Sequence, residues 1–289
     1  MGQRPPARIG IITKPNEPRA ALLAARIADW ATDHEINLFV SDRVPDLPPG
    51  TFSATDPEIA ESCDLLVVLG GDGTMIATAR LVAGRGTPVL GVNLGTLGYL
   101  TEFAPEDVIP ALEYVTHGDY EVERRTMLDW AVLRSQSPLV EGTVLNDVVV
   151  NKSAISRIIE IDFTVGIHYV TTYRADGLIV ATQTGSTAYN VSAGGPIIAP
   201  GTEAISICPI CPHTLTNRPL VLPHDALIKL HIKTREQEVM LTADGQTGVP
   251  LEPGDTVLIK KSARTLNTVV AKDRNYFDIL RSKLKWGGR

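Results

Sequence analysis

The chain has 289 residues, 44% of them hydrophobic, and a formal charge of −6 at pH 7. That length exceeds one ordinary core and points to two globular domains, with apolar material enough for both. The acidic balance argues against a nucleic-acid partner or a membrane surface, which call for a basic excess, so any anionic ligand has to be held by a local site. The opening residues MGQRPPARIGIITK hold no apolar segment of signal-peptide length, and Pro6 stands where a myristoylation signal places Ser or Thr. No later stretch approaches the roughly 20 apolar residues of a membrane span, so a cytoplasmic protein is expected.

In chain order, RIGIIT (residues 8–13) reads as a short buried strand, residues 19–33 as an amphipathic helix and residues 36–40 as the next strand. A proline-rich break, VPDLPPG, follows. The apolar run from Leu65 to Leu69 stops at a glycine pair and passes into a helix through about Val82, after which residues 87–95 read as another strand. This alternation calls for a parallel sheet covered by helices on both faces, a doubly wound α/β half. From about Thr126 the texture changes to eleven short β-rich runs separated by Gly, Pro and Asp turns, a β-sandwich or barrel-like layer. The tail turns helical again, with Phe277, Leu280 and Leu284 at i, i+3, i+7, and is expected to return to the α/β layer. The domains expected are 1–125 joined by 271–289, and 126–270.

Three cysteines, Cys63, Cys208 and Cys211, cannot build a disulfide framework. Cys208 and Cys211 form a C-x-x-C with His213 close behind, but a zinc site needs four ligands and no second pair exists. A redox motif would open a helix, whereas residues 204–208 read as a strand, so the thiols are taken as buried structural residues. The basic residues Arg281, Lys283, Lys285 and Arg289 read as a solvated helix face.

Three stretches can carry chemistry. The first is GGDGT, residues 70–74, which is neither the dinucleotide G-x-G-x-x-G nor a Walker sequence. Its glycines give clearance, and Thr74 at the helix start can cap or bind phosphate. A carboxylate at Asp72 repels the phosphates that bare amides attract, so it serves either a turn, bonded to its own backbone, or the chemistry itself. The second is VLNDVVVNK, where Asn146 and Asp147 interrupt an apolar strand and mark a turn, a bulge or a ligand contact. Amide and carboxylate side by side suit a vicinal diol, whose two hydroxyl protons a carboxylate can accept. The third is TTYRADGLIVATQTGSTAYNVSAGGPI, residues 171–197. A strand over residues 177–181 runs into small residues around a single aromatic, Tyr189, with Arg174 and Asp176 just before it, as a pocket for a flat polar ligand would. No G-x-S-x-G occurs, so Ser186 and Ser192 are not hydrolase nucleophiles by motif.

These three stretches in this order, with PHTLTNRPLVLP (residues 212–223) and DGQ (residues 244–246) downstream, resemble the NAD kinase family from about residue 60 to the end. Lipid kinases of the diacylglycerol type and phosphofructokinases share GGDGT in similar form. The long third motif distinguishes them. The resemblance implies an α/β amino-terminal domain, a β-sandwich domain and a carboxyl-terminal segment that returns to the first. It implies transfer of the γ-phosphate of ATP to the 2′-hydroxyl of the adenosine ribose of NAD, giving NADP. It also implies a divalent metal, Mg²⁺ by preference, and homodimers or homotetramers whose sites are completed from two subunits. Carried over by motif, Asp72 is the catalytic base and Gly73 lines the phosphates. Asn146 and Asp147 hold the ribose hydroxyls. Thr184, Thr187, Ala188, Tyr189, Asn190, Val191 and Ser192 line the nucleotide pocket, and Arg174, Asp176 and Gln246 contact the dinucleotide. Arg157, in AISRIIE, is carried over as a further contact, and Asp72 is the candidate metal contact through MgATP. Asp147 replaces the usual glutamate, one methylene shorter, and Gln183 stands where the family has proline. The competing readings are a lipid or sugar kinase sharing GGDGT and a non-catalytic NAD or NADP sensor.

Overall fold

All six residues of the strand Leu65–Gly70 are buried, which a strand achieves inside a parallel sheet covered on both faces. The computed structural model describes residues 5–44, 47, 49–96, 98–153, 158–214, 216–234, 238–271 and 275–286. Two units emerge, Met1–Arg124 with Leu266–Arg289, and Arg125–Thr265.

The first unit contains β1 (Arg8–Thr13), α1 (Pro18–Asp33), β2 (Asn37–Ser41), β3 (Phe52–Ala54), α2 (Asp56–Ser62), β4 (Leu65–Gly70), α3 (Asp72–Val82), β5 (Pro88–Asn93) and α4 (Val108–Thr116). Its strands run parallel in the order β3-β2-β1-β4-β5. On one face Ile9, Ile11, Val40, Val67 and Val92 pack against Leu23 and Ile27 of α1 and Leu112 of α4. On the other, α2 lies so close to β1 that a Cβ at Gly10 would collide with Ile59 and meet Cys63 Sγ at 3.0 Å. The doubly wound arrangement is therefore realised. The strand order reverses between β1 and β4, and in open α/β sheets ligands bind at the carboxyl ends of the strands at that point.

The second unit is built from β6 (Val122–Arg134), β7 (Ser137–Val144), β8 (Asp147–Lys152), β9 (Ile159–Val165), β10 (His168–Ala175), β11 (Gly177–Ala181), the one-turn helix α5 (Tyr189–Ser192), β12 (Ala204–Ile210), β13 (Leu220–Pro223), β14 (Ile228–Ile232), β15 (Val239–Ala243), β16 (Thr247–Leu251) and β17 (Thr256–Val269). Strand β6 begins, and β17 ends, in residues of the first unit. One sheet runs β10-β9-β14-β17 with β6 and β7 continuing from β17, and the other runs β13-β12-β11-β8-β15-β16. Alternate residues Val148, Val150, Leu178, Val180, Ile205 and Leu241 of the second sheet pack with Ile161, Phe163, Leu230 and Ile259 of the first, the inward period of a sandwich. On its outer face Val149, Ile179, Ala181 and Cys208 pack against Ala193, so the small-residue segment after β11 covers that side.

Some elements differ from the sequence reading. The short β3 and the helices α2 and α4 carried too little period to be seen, although α2 opens with a Thr55/Glu58 capping box. The run TVLNDVVV is two strands, broken at Leu145 and Asn146. In the last helix, α6 (Tyr276–Leu284), Ile279 and Leu280 are buried while Phe277 is 61% exposed, so Phe277 is no part of its buried stripe. Cys63 and Cys208 are buried as expected of structural thiols, but Cys211 is exposed at a positive φ of 45° just past β12. Among the described residues no helix is long and apolar enough to cross a membrane. A methyl at Gly10 has no space to enter, so Gly10→Ala should lower stability by about 1–3 kcal/mol. Urea unfolding measures this, and an unchanged midpoint would show that α2 yields.

Candidate functional site

In the first unit the chain leaves β4 at Gly70, Gly71 sits at the N-cap in extended conformation, and Asp72 opens α3. The Asp72 carboxylate does not bond its own turn. Its Oδ2 accepts Tyr99 N at 2.9 Å, and its Oδ1 accepts Leu100 N at 3.0 Å, Thr101 N at 3.3 Å and Thr101 Oγ1 at 3.2 Å. Charge is thus met by amides 27 to 29 residues away and by the positive end of the helix. Gly98 is required here, because a Cβ would collide with Asp72 Oδ1. Three donors converge on Oδ1 and one on Oδ2, which leaves Oδ2 the more open acceptor. Burial and then the Asp72 charge push the Tyr99 phenol above its ordinary value.

Gly73 is exposed, with nothing within 4 Å of where a Cβ would stand. Gly71, Gly73 and Thr74 line a cavity of about 460 Å³ together with Lys14 and Pro15 after β1, Arg43 after β2, and Asp56. This is the carboxyl-end position at the reversal of strand order. Arg43 pairs with the buried Asp56 at 3.2 Å, and Ser41 Oγ donates to the same carboxylate at 2.7 Å. Two cations, Lys14 and the Asp56-paired Arg43, therefore stand beside the glycine loop with one carboxylate.

In the second unit the feature is the bend between β7 and β8. Asn146 and Asp147 emerge there because both rows of backbone groups find partners outside the strands. Asp244 Oδ1 accepts Asn146 N at 2.7 Å and Asp147 N at 3.2 Å, and its Oδ2 accepts Leu145 N at 3.0 Å. Thr182 meets the carbonyls, its N donating to Asn146 O at 2.8 Å and its Oγ1 to Leu145 O at 2.6 Å. Asp244 and Gly245 open the three-residue β15–β16 turn, both at positive φ (52° and 65°), and Gln246 N donates to Ala243 O at 3.0 Å.

Asp147 is 5% exposed and Asp244 8%. Burial, and then the neighbouring Asp244 charge, raise the Asp147 carboxyl from the ordinary aspartate value to about 7. Two buried polar atoms, Asn146 Oδ1 beside Asp147 and Thr184 Oγ1 two residues past Thr182, have no hydrogen-bond partner among the described residues. Asn146, Asp147, Asn151, Ala188, Tyr189, Thr242, Asp244 and Gly245 line a cavity of about 370 Å³, within the range of small-molecule sites.

Of the residues named from sequence, this cavity gathers Asn146, Asp147, Ala188 and Tyr189, whose ring is 45% exposed. The others lie off its lining. Asn190 is fully buried, its amide donating to Ser186 O at 3.1 Å and Pro196 O at 2.9 Å and accepting from Ser206 Oγ at 2.8 Å. Thr187 Oγ1 donates to Thr184 O at 3.1 Å, Val191 is half-buried and Ser192 is exposed. Arg174 is exposed and pairs with Glu160 at 3.1 Å, Asp176 pairs with Lys152 at 3.3 Å, and Gln246 is the exposed last residue of the β15–β16 turn. Arg157 lies outside the described residues. Gln183, in place of proline, is buried and donates its side-chain amide to Thr202 O. Sequence reasoning missed Lys14, Arg43, Thr182 and Asp244 as site residues. The D-G dipeptide of a hairpin was the legible signal for the last; the others depend on topology.

Residues 9–120 match the family model of the ATP-NAD kinase N-terminal domain, and residues 145–271 that of the ATP-NAD kinase C-terminal domain. The chain is similar to the NAD kinase of Syntrophotalea carbinolica, at 46% identity over 98% of this chain and 99% of that one. To the NAD kinase of Geotalea daltonii it is 44% identical, over 98% and 99%. Among solved structures it is similar to yeast NADH kinase complexed with NADH, with a TM-score of 0.90 and 27% identity over 99% of this chain and 90% of that one. It is also similar to an NAD kinase from Archaeoglobus fulgidus in complex with ATP, with a TM-score of 0.76 and 26% identity over 96% and 98%.

The Asp147 carboxyl carries a pH signature. Unfolded, it ionises near 3.8; folded, near 7. The folded chain therefore holds the extra proton in between, and this group withdraws stability as pH rises through that window, fully so above it. Asp147→Asn copies the protonated acid and cannot ionise. It should melt higher than the parent at pH 8, by on the order of 5 °C, with the difference narrowing to about two-fifths of that at pH 5. Calorimetry at the two pH values checks this, and an equal difference at both refutes the raised value.

Proposed function

The chain belongs to the NAD kinase family, and from that premise we propose that it transfers the γ-phosphate of ATP to the 2′-hydroxyl of the adenosine ribose of NAD, giving NADP. The observation that carries the acceptor half is the pairing of an unpartnered buried Asn146 Oδ1 with a near-neutral buried Asp147 on one cavity. Buried polar atoms without partners call for an explanation, and a vicinal diol supplies it. Its hydroxyls donate to both oxygens, and the new hydrogen bonds draw Asp147 toward its ionised form. Tyr189 offers an aromatic face and Ala188 a small neighbour on the same lining, as an adenosine requires. Thr184, Thr187, Asn190, Val191, Ser192, Arg174, Asp176, Gln246 and Arg157 are assigned to the dinucleotide by family resemblance.

For the donor half, Lys14 and Arg43 beside Gly71 and Gly73 suit the phosphates of ATP. Phosphoryl transfer passes through a loose transition state in most analyses, so the protein positions the acceptor and neutralises charge. Asp72 takes the hydroxyl proton late, when the attacking oxygen has become acidic, and its amide anchors fix where Oδ2 stands. Among the described residues no group of three or more His, Cys, Asp or Glu could hold a metal ion. Mg²⁺ binds through substrate phosphates and one or two carboxylates, and Asp72 is the residue that would reach it. That ion would supply positive charge against the phosphate oxygens. NADH in the yeast neighbour and ATP in the archaeal one are of the two ligand classes proposed. A cytoplasmic homodimer or homotetramer completes the reading.

Incubation with NAD, ATP and Mg²⁺, followed by an NADP-specific coupled dehydrogenase, tests it. The parent should form NADP, and none formed overturns the proposal. Asp72→Asn should lower kcat by about 10²–10⁴ with melting little changed; near-normal turnover would remove Asp72 from the base role.

A further inference from the structure

The bend at residues 145–147 presents Asn146 and Asp147, yet a bend between two strands has no ladder to hold its peptide groups. Here the two sides are met by two different elements. Asp244, at the tip of the β15–β16 hairpin, takes all three amides, and Thr182, just past β11, takes two carbonyls. Gly185 N donates back to Thr182 Oγ1 at 3.0 Å, which fixes that hydroxyl's direction. A Cβ on Gly185 would collide with the Asn146 backbone, so the loop is pressed flat on the bend.

We propose that Asp244 and Thr182 are positioning residues, a two-sided backbone clamp that sets where Asn146 and Asp147 meet the ribose hydroxyls of the dinucleotide. This rests on the kinase reading above. Neither residue has to touch the ligand's hydroxyls. Asp244 lines the cavity, but its carboxylate already accepts three backbone N–H groups, and Thr182 is fully buried. A carboxylate is needed because all three partners are donors aimed at two oxygens. An asparagine offers one acceptor oxygen, so at least one N–H would face an NH₂. Asparagine still tolerates the positive φ of 52°, so the hairpin itself is not disturbed.

The test uses the full chain with Asp244→Asn, Thr182→Val and Thr182→Ser. Dinucleotide affinity by calorimetry should weaken about 10- to 100-fold in Asp244→Asn and Thr182→Val, the range expected on losing hydrogen bonds to a charged or buried partner. ATP affinity should stay within about twofold, and Thr182→Ser, which keeps the hydroxyl, should restore NAD binding. Backbone amide exchange should quicken in peptides covering residues 144–148 and not elsewhere in the hairpin. Parent-like NAD affinity in both weakened variants overturns the clamp, as does equal loss of NAD and ATP, which would mean general damage. If Thr182→Val fails to fold, Asp244→Asn and the exchange rates decide. A parent that binds no dinucleotide at all brings down the kinase reading instead.

Discussion

Two carboxylates lie buried side by side in the second unit, and the backbone meets the charge of one more fully than that of the other. Asp244 accepts three backbone amides. Asp147, one residue into β8, is desolvated and faces that fixed charge, so its proton is retained to about pH 7. A buried carboxyl whose proton is held to such a pH, beside a carboxylate engaged by the backbone, marks a place where one acid is structure and the other is open to chemistry. The division of labour follows from the hairpin. A tight turn with Asp first puts a carboxylate at the end of β15, in reach of the β7–β8 bend.

The first unit uses the same physics for a different result. Asp72 also has its charge met by consecutive amides, those of Tyr99, Leu100 and Thr101, with the start of α3 adding its dipole. This resolves the conflict of an acid in a phosphate-type loop. The repulsion that a bare carboxylate exerts on phosphate is weakened when its charge is already met by a loop, while Lys14 supplies positive charge on the same cavity and Arg43, paired with Asp56, supplies further N–H donors. Gly98 makes the arrangement possible by letting the donor loop touch the carboxylate, just as Gly185 lets another loop touch Asn146.

The α/β half was legible because Leu65–Gly70 is apolar at every position and α1 has a clean helical stripe, patterns that only a covered parallel sheet explains. Elements of three to nine residues, such as β3, α2 and α4, were not, since a single short window cannot show a period. The site was legible as a set of motifs and not as an arrangement. Asn146 and Asp147 stood out because polar groups inside an apolar run need partners, but those partners lie 36 or more residues ahead, at Thr182 and Asp244. Lys14 and Arg43 look like ordinary surface cations until the strand order puts the ends of β1 and β2 beside Gly71. Phe277 misled for the converse reason: its spacing was right, but the helix turns another face inward.

The small residues after β11 change meaning most. Read as a string, Thr182 to Gly195 looks like clearance for a flat ligand. In the structure much of that smallness is consumed by protein contacts. Gly185 admits the backbone of Asn146, and Gly195 admits the side chain of Asn190, whose three hydrogen bonds then lock the segment onto β12 through Ser206. Thr182 spends its hydroxyl and its amide on the bend. Only Ala188 and Tyr189 from this run reach the cavity lining. The second and third sequence motifs are therefore one construction, in which the glycine-rich loop is the mould and Asn146-Asp147 the cast. A side chain added to that loop acts on the ligand indirectly, by moving the bend.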